Sequence, residues 1–180
     1  MEQLDNNKLV HKNKMIAGSF LPAIISFLVL VFIDQLTKYI IVHNMALYES
    51  IPIVKNVFEI FYIRNPGTAW GLLANKQFLF AISTVIIFIV GIIVYIRCVR
   101  LSKYKDIRIL LIFILAGGMG NFIDRIRYKY VIDFLYFKLI DFPVFNVADC
   151  YVTIGFISLI FIILFKYKEN DFEDLFSGKR

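Results

Sequence analysis

Five aspartates are the side chains best suited to carry out chemistry in this chain. They lie near the ends of long uncharged segments or in the connections between them: Asp34, Asp124, Asp133, Asp141 and Asp149. Two carboxyl groups held close together can share one proton, because the charge of one raises the pKa of the other. The ionised carboxylate then takes a proton from an attacking water, while the protonated one polarises a carbonyl. This is aspartic peptidase chemistry, and spacing alone does not select which two aspartates form the pair.

The other chemically active groups are few. The histidines are His11 and His43, and the cysteines are Cys98 and Cys150. A Cys150 nucleophile would depend on His43 as its base, and we do not favour that alternative. The sequence contains no H-E-x-x-H, G-x-S-x-G or G-x-x-x-x-G-K-[ST] motif. Carboxylates alone show no metal-binding spacing here, and we expect neither a metal nor a cofactor.

The composition indicates what kind of molecule must position these aspartates. Of the 180 residues, 59% are hydrophobic and only 19% are charged, whereas a soluble domain has about 45–50% apolar and about 25% charged residues. Segments 15–33 and 77–96 carry no charge, and such runs of about 18 or more indicate membrane-spanning helices. Segments 109–123 and 150–165 are shorter uncharged runs. The composition excludes a soluble enzyme, a disordered chain and a disulfide scaffold.

We therefore predict a mainly α membrane protein, with a single domain over residues 1–180. The predicted elements are four transmembrane helices and two long connections: helices at about 15–42, 76–97, 107–123 and 148–166, and connections at about 43–76 and 124–147. Within the connections, 51–64 and 130–145 are rich in β-branched and aromatic residues, which favours short strands. An amphipathic loop resting on the bilayer surface is the alternative.

The cations predict the orientation of the helices. Twelve of the 20 Lys and Arg residues lie in short segments at one face: Lys8, Lys12, Lys14, Arg97, Arg100, Lys103, Lys105, Arg108, Lys166, Lys168, Lys179 and Arg180. The positive-inside rule makes that face cytoplasmic, so both termini are cytoplasmic and the two long connections extracytoplasmic. The net charge of +6 results from this loop placement, and we expect no nucleic-acid partner.

The two shorter uncharged segments cannot cross the membrane unaided. At about 1.5 Å per residue, 15 or 16 residues extend about 22–24 Å, less than the roughly 30 Å of hydrocarbon. The third helix must take in Asp124 or Arg108, and the fourth must take in Asp149 or Lys166. Arg and Lys reach the interface with their long side chains, but Asp is too short. We expect Asp124, Asp149 and, by the same argument, Asp34 to be functional groups near the outer boundary.

Five short blocks occur in a fixed order along residues 15–166. They are Asp34-x-x-x-Lys38, Asn65-Pro66-Gly67-Thr68-Ala69-Trp70, GGMGNFIDR at 117–125, VIDF at 131–134 and FNVAD at 145–149. Together they resemble the lipoprotein signal peptidase (type II signal peptidase) family. Thr68, Trp70 and Ile132 depart from the residues common in that family, and these departures concern packing or substrate shape.

The resemblance implies a fold and an activity. The fold would be four transmembrane helices with a small extracytoplasmic β-cradle and a short outer helix after the first motif. The activity would be that of an intramembrane aspartic endopeptidase of the bacterial cytoplasmic membrane, with its active site near the extracytoplasmic face. It would cut a prolipoprotein signal peptide before a diacylglyceryl-modified cysteine. The implied partners are such prolipoproteins and membrane lipid, and we expect a monomer.

The resemblance also implies residue roles. The catalytic dyad would be Asp133 and Asp149. The substrate-binding or supporting residues would be Asn65, Gly67, Asn121, Asp124, Arg125 and Asn146. Asp34 and Lys38 would be structural.

Each assignment has a simpler structural alternative. Asp149 follows Asn146 by three residues, a spacing typical of a helix cap. Asp34 and Lys38, four apart, form an ion pair on one helix face. Arg125 is equally consistent with anchoring a lipid headgroup. The glycines at 117, 118 and 120 lie in an apolar segment and favour close helix packing.

Two other functions remain possible on the residues alone. A small proton-coupled transporter would use intramembrane aspartates as a relay, but it should distribute them along a path across the bilayer. Here the aspartates gather at one end. A lipid-headgroup transferase would need metal-binding D-x-x-D carboxylates among the outer aspartates, and none has that spacing; the one D-x-x-D in the sequence, Asp171 to Asp174, lies in the C-terminal tail.

Overall fold

The computed structural model describes residues 2–67, 77–168 and 171. Within them, four helices are long and apolar enough to cross a membrane. These are α1 (Glu2–Asn44), α2 (Gln77–Arg100), α3 (Lys105–Tyr128) and α4 (Val147–Phe165). The described parts of the connections include the 3-10 turns Ser102–Tyr104 and Lys138–Ile140. The predicted four-helix membrane architecture is confirmed.

Helix α3 lies at the centre of the bundle. It packs against α1, α2 and α4, and its buried positions include Ile114, Leu115 and Ala116. The outward faces of the surrounding helices expose large apolar side chains, for example Leu21 and Ile157. Exposed apolar surface of this extent is what a lipid-facing helix requires.

A three-stranded antiparallel sheet covers one end of the bundle. Its strands, in the order β1-β2-β3, are Ser50–Val54, Phe58–Asn65 and Val131–Tyr136. Ile132 and Phe134 pack into a cluster with Met45 and Tyr62, so Asp133 between them points to the opposite face. The strand prediction is confirmed, and the alternative of a surface loop is wrong.

Two predicted helix boundaries require correction. Helix α1 begins at Glu2 rather than near residue 15, although its apolar part is Gly18–Asn44. Helix α3 continues to Tyr128 rather than ending at 123. The helix continues past the charged residue Asp124 because Lys38 neutralises its carboxylate. The nitrogen–oxygen distance of this ion pair is 2.9 Å. The short outer helix expected after the first motif falls on residues 68–76, outside the described residues.

Gly117 marks a point where α3 and α4 approach too closely for a side chain. A Cβ there would clash with the carbonyl oxygen of Ala148 and would lie 2.7 Å from Cγ2 of Val152. We expect Gly117→Ala to lower stability by about 1–3 kcal/mol, because the backbone of α4 must shift. Thermal unfolding in detergent measures this effect.

Gly118, the next residue, provides a matched control. A Cβ there would meet Phe88 at an ordinary 3.5 Å. Gly118→Ala should therefore leave stability unchanged or raise it by up to about 1 kcal/mol, through higher helix propensity. Equal unfolding temperatures for the two variants would contradict the assigned close contact.

Candidate active site

Asp133 lies on β3 and is held between two asparagines. Its side chain is 2% exposed. The amide of Asn65, at the end of β2, donates to Oδ2 at 2.8 Å, and the amide of Asn146 donates to Oδ1 at 2.6 Å. Both oxygens of this buried carboxyl group therefore have a hydrogen-bond donor.

Asp149 lies in the first turn of α4, where it completes a helix cap. The backbone amide of Asp149 donates to Oδ1 of Asn146 at 3.0 Å, and the backbone amide of Asn146 donates to Oδ2 of Asp149 at 3.1 Å. The capping alternative is thus correct as geometry. Oδ1 of Asp149 accepts a further bond from the Asn121 amide at 2.8 Å. Capping uses only one carboxylate oxygen and leaves Asp149 half-buried.

Asn146 joins the two aspartates. Its side-chain amide bonds to Asp133, its backbone amide bonds to Asp149, and its amide nitrogen also donates to Oδ1 of Asn121 at 3.0 Å. One residue therefore contacts both carboxyl groups, which brings them together at the sheet-covered end of the bundle. The sequence did not select this pair by spacing, since 16 positions separate 133 from 149.

The two carboxyl groups interact electrostatically. Burial raises the pKa of Asp133 to about 7, and the negative charge of Asp149 acts in the same direction. The hydrogen bonds from Asn65 and Asn146 oppose this shift but do not cancel it. Near neutral pH, Asp133 is therefore the carboxyl group that favours holding a proton.

Lys38 forms a buried charged centre beneath this pair. Its Nζ lies 2.9 Å from Oδ2 of Asp34 and 2.9 Å from Oδ2 of Asp124. It also donates to Oδ1 of Asn121 at 3.1 Å. The predicted Asp34–Lys38 ion pair is present, and Asp124 extends it to a cluster of three charged residues. Through Lys38 the cluster contacts Asn121, which also bonds to Asp149.

The two acidic members of the cluster also fix the backbone of neighbouring elements. Oδ1 of Asp34 accepts the Ala148 amide at 2.9 Å, which ties α1 to the start of α4. Oδ2 of Asp124 accepts the Ile132 amide at 3.2 Å, which ties α3 to β3. The two aspartates therefore set the positions of the elements that carry Asp149 and Asp133.

Sequence reasoning missed Gln35. Its amide lies 3.2 Å from Asp34, 3.0 Å from Asp124 and 3.1 Å from the Gly120 carbonyl oxygen, and it donates to all three. These partners are up to 89 positions away in the chain. A polar side chain beside Asp34 within an apolar helix was the available signal.

The remaining candidates, Arg125 and Gly67, each bond to an asparagine that contacts the pair. Arg125 lies within electrostatic range of both Asp133 and Asp149 and donates to the Asn121 carbonyl oxygen at 3.2 Å. Gly67 has a φ of 100° and its amide donates to Oδ1 of Asn65 at 2.9 Å, so it orients that asparagine.

Two early candidates lie outside the cluster around Asp133 and Asp149. Asp141 is exposed and accepts a bond from Tyr136 at 2.6 Å. His43 packs against Tyr39 with tilted rings, 3.8 Å between ring centroids, and its Nδ1 lies 2.8 Å from the Tyr39 carbonyl oxygen. These contacts give no support to a cysteine–histidine pair.

Comparison with known sequences finds one family of membrane peptidases. The sequence pattern of signal peptidase (SPase) II matches residues 26–165. A lipoprotein signal peptidase of Streptococcus pyogenes serotype M5 (strain Manfredo) is 38% identical over 151 residues, which is 83% of this chain and 95% of that protein. The lipoprotein signal peptidase of serotype M3 (strain MGAS315) has the same identity and coverage.

Solved structures agree. A bacterial membrane enzyme determined in meso at 2.3 Å resolution superposes with a TM-score of 0.70 and 32% identity, over 88% of this chain and 92% of that one. A second, at 1.9 Å resolution, gives a TM-score of 0.70 and 35% identity, over 82% and 94%. The similarity in sequence and in fold therefore covers nearly the whole length of these relatives.

Proposed function

The chain belongs to the signal peptidase II family, and we propose that it removes prolipoprotein signal peptides by cutting before a diacylglyceryl-modified cysteine. The protein is a multi-pass membrane peptidase of the aspartic type. The observation that carries the mechanism is the convergence of Asp133 and Asp149 on Asn146. The transporter alternative gains no support from the comparisons.

The proposed mechanism uses one water between the two carboxyl groups. Asp149, which is half-buried and open to water, takes a proton as the water attacks the scissile carbonyl carbon. Asp133 holds the shared proton, donates a hydrogen bond to the carbonyl oxygen and stabilises the tetrahedral intermediate. The carbon–nitrogen bond then breaks, and the departing amine takes a proton from the dyad. No net proton is lost, and the dyad returns to its singly protonated state.

The remaining candidates would hold the peptide and brace the dyad. Asn65, Asn121 and Asn146 fix the carboxyl groups. Arg125 would bind the backbone of the extended substrate, beside the sheet formed by β1–β3. The acyl chains would stay in the bilayer against the apolar helix faces. One chain supplies the dyad and its asparagines, so the proposed chemistry does not require a residue from a second copy, and we propose a monomeric enzyme.

We further propose that the enzyme lies in the bacterial cytoplasmic membrane, with both termini cytoplasmic and the dyad near the extracytoplasmic face. Arg97, Arg100, Lys103 and Lys105 lie around the short α2–α3 connection, at the opposite end of α3 from Asp124. A cation-rich connection of this kind favours the cytoplasmic side.

The substrate proposal predicts a strong dependence on lipidation. A diacylglyceryl-modified precursor should be cleaved at least about 10²-fold faster than its unlipidated form, because binding energy from the lipid supports the reaction at the peptide bond. The measurement is kcat/KM in nanodiscs, with a precursor whose lipidated cysteine is replaced by serine as the control. Equal rates on all precursors would contradict selection by the lipid.

The raised pKa of Asp133 predicts the pH dependence. The active dyad carries one proton, and that proton is lost as the pH rises through about 7, the pKa of Asp133. We therefore expect kcat/KM to fall on the alkaline side with a midpoint near that value, as it reports the free enzyme. A rate that stays constant from about pH 6 to about pH 9 would exclude a shared proton at Asp133.

A further inference from the structure

A groove opens between α1 and α3 at the end of the bundle away from the aspartates. It has a volume of about 360 Å³, and Tyr95 of α2 lies at its side. Small-molecule sites have volumes of about 300–1,000 Å³, so the groove is large enough for a ligand. Its walls are partly apolar, with Pro22 and Ala23 from α1 and Ile109 and Ile112 from α3.

Two cations line the same groove. Lys105 and Arg108 come from the first two turns of α3, and Nε of Arg108 has no hydrogen-bond partner among the residues that the structure describes. Within the described parts of the chain, no carboxylate lies within 4.0 Å of either side chain. Two cations that no described carboxylate neutralises favour an anionic ligand in the groove.

The acid closest to these cations in sequence is engaged elsewhere. Asp106 accepts bonds from Lys166 at 2.6 Å and from the Tyr167 hydroxyl at 2.5 Å. The positive charge in the groove is therefore not neutralised by Asp106. The N-terminus of α3 adds to it, because the helix begins at Lys105 without a side-chain cap.

The position of the groove identifies the source of the anion. Arg108 precedes Asp124 by 16 positions on α3, which corresponds to about 24 Å along the helix. The groove therefore lies near the opposite membrane boundary from the proposed dyad. Its apolar walls continue from the cations toward the middle of the bilayer, since Ile112 is one helical turn beyond Arg108. A ligand with an anionic head and an apolar tail fits both parts.

We propose that this groove binds an anionic phospholipid from the leaflet opposite the active site. The phosphodiester accepts hydrogen bonds from the part of the Arg108 guanidinium that lines the groove, and it pairs with Lys105. One acyl chain lies along Pro22, Ala23, Ile109 and Ile112. Basic pockets between transmembrane helices bind lipid headgroups in this way. The bound lipid joins α1 to α3 at an end where the Lys38 cluster does not reach.

Lipid retention tests this proposal. The full chain is purified in mild detergent, incubated with dioleoyl phosphatidylglycerol and analysed by native mass spectrometry. We expect one retained lipid, with Arg108→Gln lowering its affinity at least tenfold and Arg108→Lys giving an intermediate value. Arg100→Gln is the matched control, because it removes one positive charge at the same end although Arg100 is exposed and outside the groove. The affinity of this variant for the lipid should change less than twofold.

Three results would overturn the proposal. Unchanged retention by Arg108→Gln would show that the groove is not the site. Displacement of the lipid by inorganic phosphate or glycerol phosphate would show that it binds a free anion. Equal retention of phosphatidylcholine would show that the acyl chains alone are recognised. If Arg108→Gln does not purify as folded protein, Lys105→Gln takes its place, with the same expected direction. Peptidase activity is not part of this readout, so the result is independent of the proposed function.

Discussion

Replacing either Asp133 or Asp149 with asparagine is expected to lower kcat at least about 10³-fold while the protein still folds. Each substitution keeps the size and shape of the side chain but removes the carboxyl group that can hold or transfer a proton. General acid–base catalysis contributes about 10²–10⁴-fold per group, and the two groups act as a unit, so either loss should remove most of the activity. The measurement is cleavage of a lipidated precursor in detergent or liposomes.

Asp141→Asn is the matched control for the dyad variants. Asp141 is another aspartate in the same outer region, but it is exposed and bonded to Tyr136 rather than to the asparagine cluster. Its replacement should change kcat less than about twofold, since exposed groups away from the chemistry contribute little. Retained turnover in Asp133→Asn or Asp149→Asn would refute the proposed dyad.

Stability provides a second check on Asp133→Asn. The pKa of Asp133 in the folded protein is raised to about 7 from an ordinary value of 3.8. With the pKa raised in the folded protein, the free energy of unfolding falls progressively as the pH rises from about 3.8 to about 7, and it levels off above that pH. The asparagine variant avoids burying an ionised carboxylate, so above that pH it should unfold at a temperature equal to or higher than the parent. An inactive variant that is also more stable separates lost chemistry from lost folding.

The sequence predicted more of the fold than of the site, for a physical reason. Uncharged segments such as 77–96 are set by the thickness of the bilayer, which acts on each segment separately. The site instead depends on contacts between positions far apart, such as Gln35 with Asp124 and Asn65 with Asp133. No local pattern encodes these pairs, so Gln35 was missed, and the pair Asp133–Asp149 came only from the family resemblance.

The end of α3 illustrates the same limit. A charged residue after an apolar segment suggested a helix end at 123, but the helix continues through Asp124 because Lys38 of α1 supplies a counter-charge. Composition groups Asp141 with the outer aspartates, yet it is exposed and accepts a hydrogen bond from Tyr136, whereas Asn146 bonds to Asp133. In both cases the tertiary partner, rather than the local sequence, determines the role of the aspartate.

Lys38→Met is expected to lower the free energy of unfolding by about 3–5 kcal/mol, because it leaves Asp34 and Asp124 buried without their cation. Both carboxylates are 0% exposed, so water cannot replace the lost partner. Lys138→Met is the matched control: it also breaks a Lys–carboxylate pair, with Glu59 at 2.7 Å, but the lysine side chain is 48% exposed. Exposed pairs contribute about 0–1 kcal/mol, so thermal or denaturant unfolding should distinguish the two variants clearly.

A second variant distinguishes the charge from the packing of Lys38. Adding Asp34→Asn to Lys38→Met removes one of the two unpaired carboxylates, and it should recover part of the lost stability. If the double variant is no more stable than Lys38→Met alone, the cost arises from the shape of the cavity and the charge argument is wrong. Such non-additivity is the measure of a direct interaction between two residues.

Lys38 also has an effect on catalysis that a purely structural residue would lack. Its Nζ donates to Oδ1 of Asn121, which fixes the amide of Asn121 so that Nδ2 points to Asp149. Without that bond, the amide can rotate and Asp149 loses a fixed donor. Since small misplacements of reacting groups reduce rates by about 10²-fold, kcat of Lys38→Met should fall by about that factor well below its unfolding temperature, with KM little changed. Lys138→Met should keep the parental kcat. A destabilised Lys38→Met enzyme that turns over normally when cold would show that Asn121 is oriented by Asn146 alone, and that Lys38 supports the fold without positioning the dyad.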